Sequence, residues 1–451
     1  MTINIFKKVG FFVFILSLFS ACNQQTKEGT VDTEISQTTE NETVSKKVVA
    51  IDTAKTKPAP IDKKTKKTKA PSFAHNLIQG SGETAPAIPE TTPIESGINY
   101  FDLGLKKFDQ KDYIGSIDAF DKEILIHPTN AEAYYKRGLA KMEIEDFDGA
   151  GEDFTKTIEL KPNNYDALIK RGNSELLSNN FSDAKKDYMK ALNYTTTTEL
   201  LMNLAETNFK LSDYAESIKN YNTIIDKQLS NSFEVYYKRG LAKNEFGRYK
   251  DAIGDFTKAI QIFPNYVYSY YSRGFAELQV EKYKEAVLDF NKVIQLSPRE
   301  TNAYFFRGMA YKKQNNLAAS SKDFDKVTEL DPNYEDAYLQ KAEIEGADGR
   351  IDQAIQDLSK VVKINPHSKE AYYNRGNFYL ENGTLDLAIA DFKKAIELDP
   401  KDADSYYYKG IAEMESKKYN DACDSFTKAK ALGDEERAPA MMDKNCRKAR
   451  Q

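Results

Sequence analysis

Apolar residues recur along this chain at helical spacing, in paired blocks that are separated by short polar turns. In one such pair, Tyr237 and Leu241 stand one helical turn apart, and Ala252, Phe256 and Ile260 then form a second stripe. Because residues four apart share one face of an α-helix, this pattern predicts two amphipathic helices that pack against each other.

The two-helix pattern returns ten times between residues 98 and 432, with a step of about 34 residues. Each copy carries one small marker residue, and the markers are Gly104, Gly138, Gly172, Ala205, Gly240, Gly274, Gly308, Ala342, Gly376 and Gly410. The steps before and after Ala205 are 33 and 35 residues, so copy four is the irregular one. Proline ends many second helices, because it has no amide hydrogen to donate. Such prolines are Pro128, Pro162, Pro264, Pro298, Pro332, Pro366 and Pro400. The pattern predicts an all-α solenoid.

An aromatic residue follows the marker by sixteen positions in nearly every copy. These aromatics are Phe120, Phe154, Tyr188, Tyr221, Phe256, Phe290, Phe324, Phe392 and Phe426, with Leu358 in copy eight. Together with the tyrosines, glycines, alanines and prolines, they resemble the tetratricopeptide repeat (TPR) family. The resemblance implies a superhelix of about ten helix-turn-helix repeats, whose first helices line a concave groove that grips peptides or partner proteins. The family's aromatic three residues after the marker is kept only by Tyr311 and Tyr379. Charged residues replace it at Lys141, Glu175, Lys243, Glu277, Glu345 and Glu413.

The resemblance also suggests which residues face the groove, namely those that follow the family's first aromatic. This row is Phe101, Tyr135, Ile169, Met202, Tyr237, Tyr271, Phe305, Leu339, Tyr373 and Tyr407. Exposed aromatics are favoured at interfaces, so its predicted partner contacts are Tyr135, Tyr237, Tyr271, Phe305, Tyr373 and Tyr407. Packing between successive repeats is the alternative explanation of this row.

The ten copies align with one another, and the alignment exposes a charge pairing. Six arginines precede the marker, and an aspartate stands sixteen positions after each. The pairs are Arg137 with Asp153, Arg171 with Asp187, Arg239 with Asp255, Arg273 with Asp289, Arg307 with Asp323, and Arg375 with Asp391. We predict that each pair bridges the two helices of its repeat, since arginine can donate two parallel hydrogen bonds to one carboxylate. An anion-binding row of arginines is the alternative.

The first residues carry a different signal. Lys7 and Lys8 precede an apolar run from Val9 to Ser20, which is too short to span a bilayer and is typical of a signal peptide. Residues 18–22 then resemble a bacterial lipoprotein cleavage box, which implies that residues 1–21 are removed and that Cys22 is lipidated; secretion with a free Cys22 is the alternative. Residues 22–97 are rich in Thr, Lys and Pro and are predicted to form a disordered tether.

Two further cysteines, Cys423 and Cys446, remain in a chain with an export signal. They form a candidate disulfide that pins a capping helix, in residues 433–451, to copy ten. Two free thiols are the alternative.

The net charge of −5 argues against a nucleic-acid partner, which requires a strongly basic surface. His75, His127 and His367 stand far apart and form no metal or triad motif, and no phosphate-binding glycine loop is present. The sequence therefore predicts no cofactor, no metal and no catalysis. The resemblances to the TPR family and to a lipoprotein cleavage box imply a scaffold for proteins or peptides of the bacterial cell envelope, anchored by lipid to the outer membrane and facing the periplasm. A binder of envelope glycan or peptidoglycan, with sugars stacked on the tyrosine row, is the second hypothesis. The oligomeric state, the partner and the pathway are left open.

Overall fold

A computed structural model describes residues 97–446 of the chain, apart from the side chains of residues 443–445. This part consists of 21 α-helices and contains no strand. The first helices of the ten repeats are α1 (Tyr100–Asp109), α3 (Ala131–Glu143), α5 (Tyr165–Leu177), α7 (Thr198–Lys210), α9 (Phe233–Glu245), α11 (Val267–Gln279), α13 (Thr301–Lys313), α15 (Glu335–Ala347), α17 (Lys369–Glu381) and α19 (Ala403–Glu415). The second helices are α2 (Tyr113–Ile126), α4 (Phe147–Leu160), α6 (Phe181–Ala191), α8 (Tyr214–Asp226), α10 (Tyr249–Ile262), α12 (Tyr283–Leu296), α14 (Leu317–Leu330), α16 (Ile351–Ile364), α18 (Leu385–Leu398) and α20 (Tyr419–Ala431). A final helix, α21, runs over Arg437–Asn445.

The turn inside each repeat depends on one residue with left-handed backbone. These residues are Lys111, Glu145, Asn179, Ser212, Gly247, Glu281, Asn315, Gly349, Gly383 and Lys417. Left-handed backbone ends a helix and reverses the chain, and glycine adopts it most readily. Capping groups then start several second helices; for example, Asp112 accepts a hydrogen bond from the Gly115 amide at 3.0 Å.

Close contact between the two helices of a repeat explains the marker glycine. Phe256 of α10 is 0% exposed and packs directly over Gly240 of α9. A β-carbon on Gly240 would stand 2.6 Å from the Phe256 ring, so that no side chain fits without displacing it. The same arrangement recurs at Gly104, Gly172 and Gly410.

Successive repeats stack in chain order, and each helix packs on the helices before and after it. Several first helices also touch the first helix of the next repeat, as α9 touches α11 and α11 touches α13. The second helices approach one another less closely. Because the inner side of a curved rod is the shorter one, the first helices form the inner face of the array. The prediction of an all-helical repeat solenoid is confirmed.

The last helix extends the array and does not fold back over its inner face. Helix α21 packs on α20 and α19, and Ala438 is 0% exposed in an apolar cluster with Phe426 and Ala429. None of the helices in residues 97–446 is both long and apolar enough to cross a bilayer. Cys22, the signal peptide of residues 1–21 and the tether lie outside the described residues, apart from Gly97 at its end.

Candidate functional site

The predicted row of partner-binding aromatics lies mainly inside the repeats. Tyr237, Tyr271 and Phe305 are 3%, 4% and 8% exposed, and Tyr135, Tyr373 and Tyr407 are half-buried. Each ring packs against the second-helix aromatic of its own repeat, with ring centroids 5.7 to 6.1 Å apart. The structure therefore corrects the groove-surface expectation for Tyr237, Tyr271 and Phe305, whereas Tyr135, Tyr373 and Tyr407 remain partly exposed.

The marker glycine gives the physical reason for this correction. Residues three apart share a helical face, so Tyr237 lies beside Gly240, over which the Phe256 ring packs. Aromatic rings at these distances stabilise each other beyond the area that they bury. Tyr237 and Tyr271 are buried and therefore offer no free ring face for the sugar stacking of the glycan hypothesis.

The structure brings all six predicted arginine and aspartate pairs together. In each pair the Nε and Nη2 atoms donate to the two carboxylate oxygens, over distances of 2.5 to 2.9 Å. The aspartates are 3 to 6% exposed. Every pair thus joins the first and second helices of one repeat through two parallel, charge-assisted hydrogen bonds.

Each arginine also donates a third hydrogen bond to a side chain of the preceding repeat. This contact was not predicted from the sequence. The Nη1 atom of Arg307, for example, donates to Asn291 Oδ1 at 2.6 Å, and Nη1 of Arg375 donates to Ser359 Oγ at 3.0 Å. The acceptors directly follow the core aromatic or Leu358, and they are Asp121, Thr155, Asn222, Thr257, Asn291 and Ser359. Each arginine therefore joins three helices from two repeats.

A sequence signal for this third contact exists. The residue after the core aromatic is a polar acceptor wherever the next repeat carries the arginine. Before repeat four this residue is Met189, and repeat four has Leu204 in place of the arginine. With its donors directed to protein acceptors, the arginine row has a structural role, and the anion-binding alternative loses its donor groups.

Buried acids stand near some of these pairs, at the position where the family usually has an aromatic. Glu277, Glu345 and Glu413 are 6%, 3% and 3% exposed. In repeat six, burial and then the nearby Asp289 carboxylate raise the pKa of Glu277 to about 8. In repeat ten, Glu413 instead pairs with Lys409 at 2.5 Å. Lysines at the same position in repeats two and five add a second cation, since Lys141 and Lys243 reach the paired aspartates at 2.9 and 2.8 Å.

The inner face carries charged side chains that link successive first helices. Lys170 of α5 pairs with Glu199 of α7 at 3.0 Å, and Lys312 of α13 pairs with Glu343 of α15 at 2.5 Å. Acidic residues in the first helical turns follow the same face, and they are Glu132, Asp166, Glu199, Glu234, Asp336, Glu370 and Asp404. Burial raises the pKa of Tyr135 to about 12, and Asp166, Glu132 and Glu199 add to this effect. Carboxylates from three successive repeats therefore contribute to the raised pKa of one tyrosine on the inner face.

The structure joins Cys423 of α20 to Cys446, just after α21, in a disulfide with the Cα atoms 5.6 Å apart. Arg437 adds a second link, because its guanidinium lies 4.6 Å from the Tyr407 ring centroid and contacts Asp404. Both contacts hold the capping helix to repeat ten.

No cluster of metal-ligating side chains occurs within the described part of the chain. His127 lies 3.0 Å from Glu123, and Asn130 also donates to that carboxylate, so this histidine is part of a local turn network. His75 precedes the described residues.

Family models described as "Tetratricopeptide repeat" match residues 202–267 and 339–403, residues 392–424, and residues 131–164, 267–300 and 301–334. A TPR protein from Parabacteroides merdae is 20% identical, with coverage of 52% of this chain and 93% of that one, at a TM-score of 0.41. The C-terminal part of a TPR protein from Cytophaga hutchinsonii is 17% identical, with coverage of 52% and 97%, at 0.47. Yeast Tom70 is 18% identical, with coverage of 74% and 84%, at 0.36. No curated protein matches the sequence. Because the matched segments span more than half of the sequence, the chain belongs to the tetratricopeptide repeat family.

Proposed function

We propose that this protein is a non-catalytic scaffold that binds partner proteins or peptides along the inner face of its first helices. This proposal is supported by the observation that, among the described residues, each helix packs only on its near neighbours in the chain. The inner face is thus left to something other than these helices. Repeat solenoids use such extended concave surfaces for binding.

The charges on this face favour a partner segment that carries lysine or arginine. The acidic first-turn residues recur in most repeats, and in repeats eight and nine they lie close together. Burial and the neighbouring carboxylates Glu335 and Glu370 raise the pKa of Asp336, and burial and then Glu343 and Glu335 raise that of Glu370. A cationic side chain would relieve this repulsion, since charge complementarity sets the orientation and selectivity of an interface.

Two glutamates with similar exposure offer a matched test of the binding face. Glu343 lies on the first helix α15, and its side chain is 64% exposed; Glu329 lies on the second helix α14, and its side chain is 68% exposed. With a photo-crosslinking residue at either position in the native envelope, we expect partner adducts from position 343 and none from position 329. We also expect Glu343→Lys to lower affinity for the captured partner about tenfold, with little effect of Glu329→Lys. Equal adduct yields at the two positions, or adducts only at position 329, would contradict the proposal.

We further propose that the protein is a lipoprotein of the cell envelope, held at the outer membrane through Cys22 and facing the periplasm. The support is the sequence Leu18–Cys22 after an apolar signal core. Attachment through more than one acyl chain gives stable membrane binding, whereas one chain gives only marginal binding.

Replacement of the anchoring residue tests this localisation. We expect Cys22→Ser to abolish incorporation of radiolabelled palmitate and to move the protein from the membrane pellet to the soluble fraction. Cys446→Ser, which changes another cysteine, serves as the control and should leave labelling intact. Full membrane association of the Cys22→Ser protein would show that another part of the chain makes the attachment.

A further inference from the structure

A polar cavity of about 330 Å³ lies between repeats seven and eight and is lined by residues of α14, α15 and α16. Its lining includes Asp325 of α14, Lys341 and Glu345 of α15, and Asp357 and Lys360 of α16. Residues of the second helices α14 and α16 make up most of this lining, and none of the acidic first-turn residues of the inner face belongs to it.

Comparison with the two neighbouring repeats shows why a cavity exists here. In repeat seven, the guanidinium carbon of Arg307 lies 6.0 Å from the centroid of the Tyr311 ring. In repeat nine, the guanidinium carbon of Arg375 lies 5.7 Å from the centroid of the Tyr379 ring. Repeat eight carries Lys341 and Glu345 at the corresponding positions. Both replacements are smaller, so the space filled by a guanidinium and a phenol ring in the neighbours is open in repeat eight.

The acceptors for a guanidinium group nevertheless remain in repeat eight. Asp357 corresponds to the paired aspartates of the other repeats, and Asp325 corresponds to Asn291 and Ser359, which accept the third arginine hydrogen bond. The Lys341 Nζ atom lies 2.9 Å from Asp325 Oδ1 and 3.1 Å from Asp357 Oδ2, and Lys360 Nζ lies 2.9 Å from Asp357 Oδ1.

Glu345 brings a further acceptor that is not satisfied. The residue is 3% exposed and lines the cavity, and its Oε2 atom has no hydrogen-bond partner among the described residues. The ion pair that Glu345 makes is with Arg350, which also lines the cavity and whose Nη1 lies 3.7 Å from Oε1, beyond hydrogen-bonding distance. A buried carboxylate oxygen without a donor costs free energy, which a donor from a ligand would recover.

We propose that this cavity binds a guanidinium group, which donates hydrogen bonds to Glu345 Oε2 and to Asp325 and occupies the space that arginine and tyrosine fill in repeats seven and nine. A guanidinium group suits the site because its planar fork of N–H donors can serve two carboxylates at once. The group could belong to a small molecule or to an arginine side chain of another protein.

Calorimetric titration of the full chain with L-arginine amide tests the proposal. We expect binding with a dissociation constant of about 1 mM or below. Glu345→Gln keeps the shape of the side chain and should weaken binding about tenfold, as expected for the loss of a charge-assisted hydrogen bond. The double variant Lys341→Arg, Glu345→Tyr rebuilds the filling of repeats seven and nine and should abolish binding. Glu329→Gln changes an exposed acid of α14 that lines neither the cavity nor the inner face and should leave binding unchanged.

Further probes distinguish a protein ligand from a small molecule and test whether the site prefers guanidinium to ammonium. A glycine-flanked arginine peptide that binds more tightly than L-arginine amide indicates a protein ligand, and the reverse order indicates a small molecule; both outcomes support a guanidinium site. Equal binding of L-lysine amide would overturn the assignment to guanidinium. Absence of binding, or undiminished binding by Glu345→Gln, would overturn the site itself, and circular dichroism verifies that this variant is folded.

Discussion

Replacement of Arg375 by leucine is expected to destabilise the array by about 3 to 5 kcal/mol, because it leaves a charged carboxylate buried without its partner. Asp391 is 6% exposed, and both of its oxygens accept from Arg375, at 2.7 and 2.8 Å. The substitution also removes the hydrogen bond to Ser359 in repeat eight. It therefore weakens both the repeat itself and its interface with the preceding one.

The double variant Arg375→Leu, Asp391→Leu separates the free-energy cost of the unpaired buried charge from the cost of the lost packing. A buried ion pair that is replaced by apolar residues often costs little, whereas removal of one partner alone is severe. We therefore expect the double variant to regain most of the lost stability, measured by urea unfolding followed by circular dichroism. Arg299 lies exposed between repeats, and Arg299→Leu should change stability by less than about 0.5 kcal/mol.

Repeats unfold in part independently, so hydrogen exchange should show the loss of protection centred on α17 and α18. A cost below about 1 kcal/mol for Arg375→Leu, or a double variant as unstable as the single one, would contradict a structural role for the ion pair.

The stability of repeat six is expected to fall as the pH rises from about 4.5 to about 8, through the titration of Glu277. Its pKa is raised from the ordinary value of 4.5 to about 8, first by burial and then by Asp289, while Arg273 opposes the shift. The folded protein thus keeps a proton that the unfolded chain releases near pH 4.5. The stabilisation that protonated Glu277 contributes is fully present below about pH 4.5 and is lost once the pH exceeds the folded-state pKa.

Glu277→Gln should remove this dependence, because glutamine stays neutral. At pH 5 the variant and the natural protein should differ little, whereas at pH 9 the variant should be more stable, by on the order of 3 kcal/mol. The difference between the two proteins is the measured quantity, since titrating groups far from Glu277 affect both alike; the nearby Asp289 belongs to the same titrating pair as Glu277. Glu381 is exposed, and Glu381→Gln should leave the pH dependence unchanged. A pH-independent difference between Glu277→Gln and the natural protein would show that Glu277 is already ionised in the fold.

Much of the fold could be predicted from the sequence because a repeat protein carries its own alignment. The step of about 34 residues places every helix pair, and the joint occurrence of arginine and aspartate identifies the six ion pairs that the structure brings together. Both signals act over one repeat, where helical spacing determines which residues share a face. The third arginine contact has a comparable signal, as Met189 before Leu204 illustrates, but it becomes apparent only when adjacent copies are compared.

The candidate binding face could not be predicted in the same way. Tyr237 stands on the border between the groove and the helix-helix interface, and helical spacing alone is compatible with either location. Packing decides between them, because Gly240 lets Phe256 approach and the Tyr237 ring then gains contact with it, at a centroid distance of 5.9 Å.

By itself, the sequence determined the helix pairs, their order and the charges that join them, since these depend on local spacing repeated ten times. Only the tertiary structure decided which aromatics are buried, which acids lie near one another on the inner face, and where repeat eight leaves a cavity. Those properties depend on how side chains from different repeats fill a shared space, and that filling is a consequence of three-dimensional packing rather than of spacing along one helix.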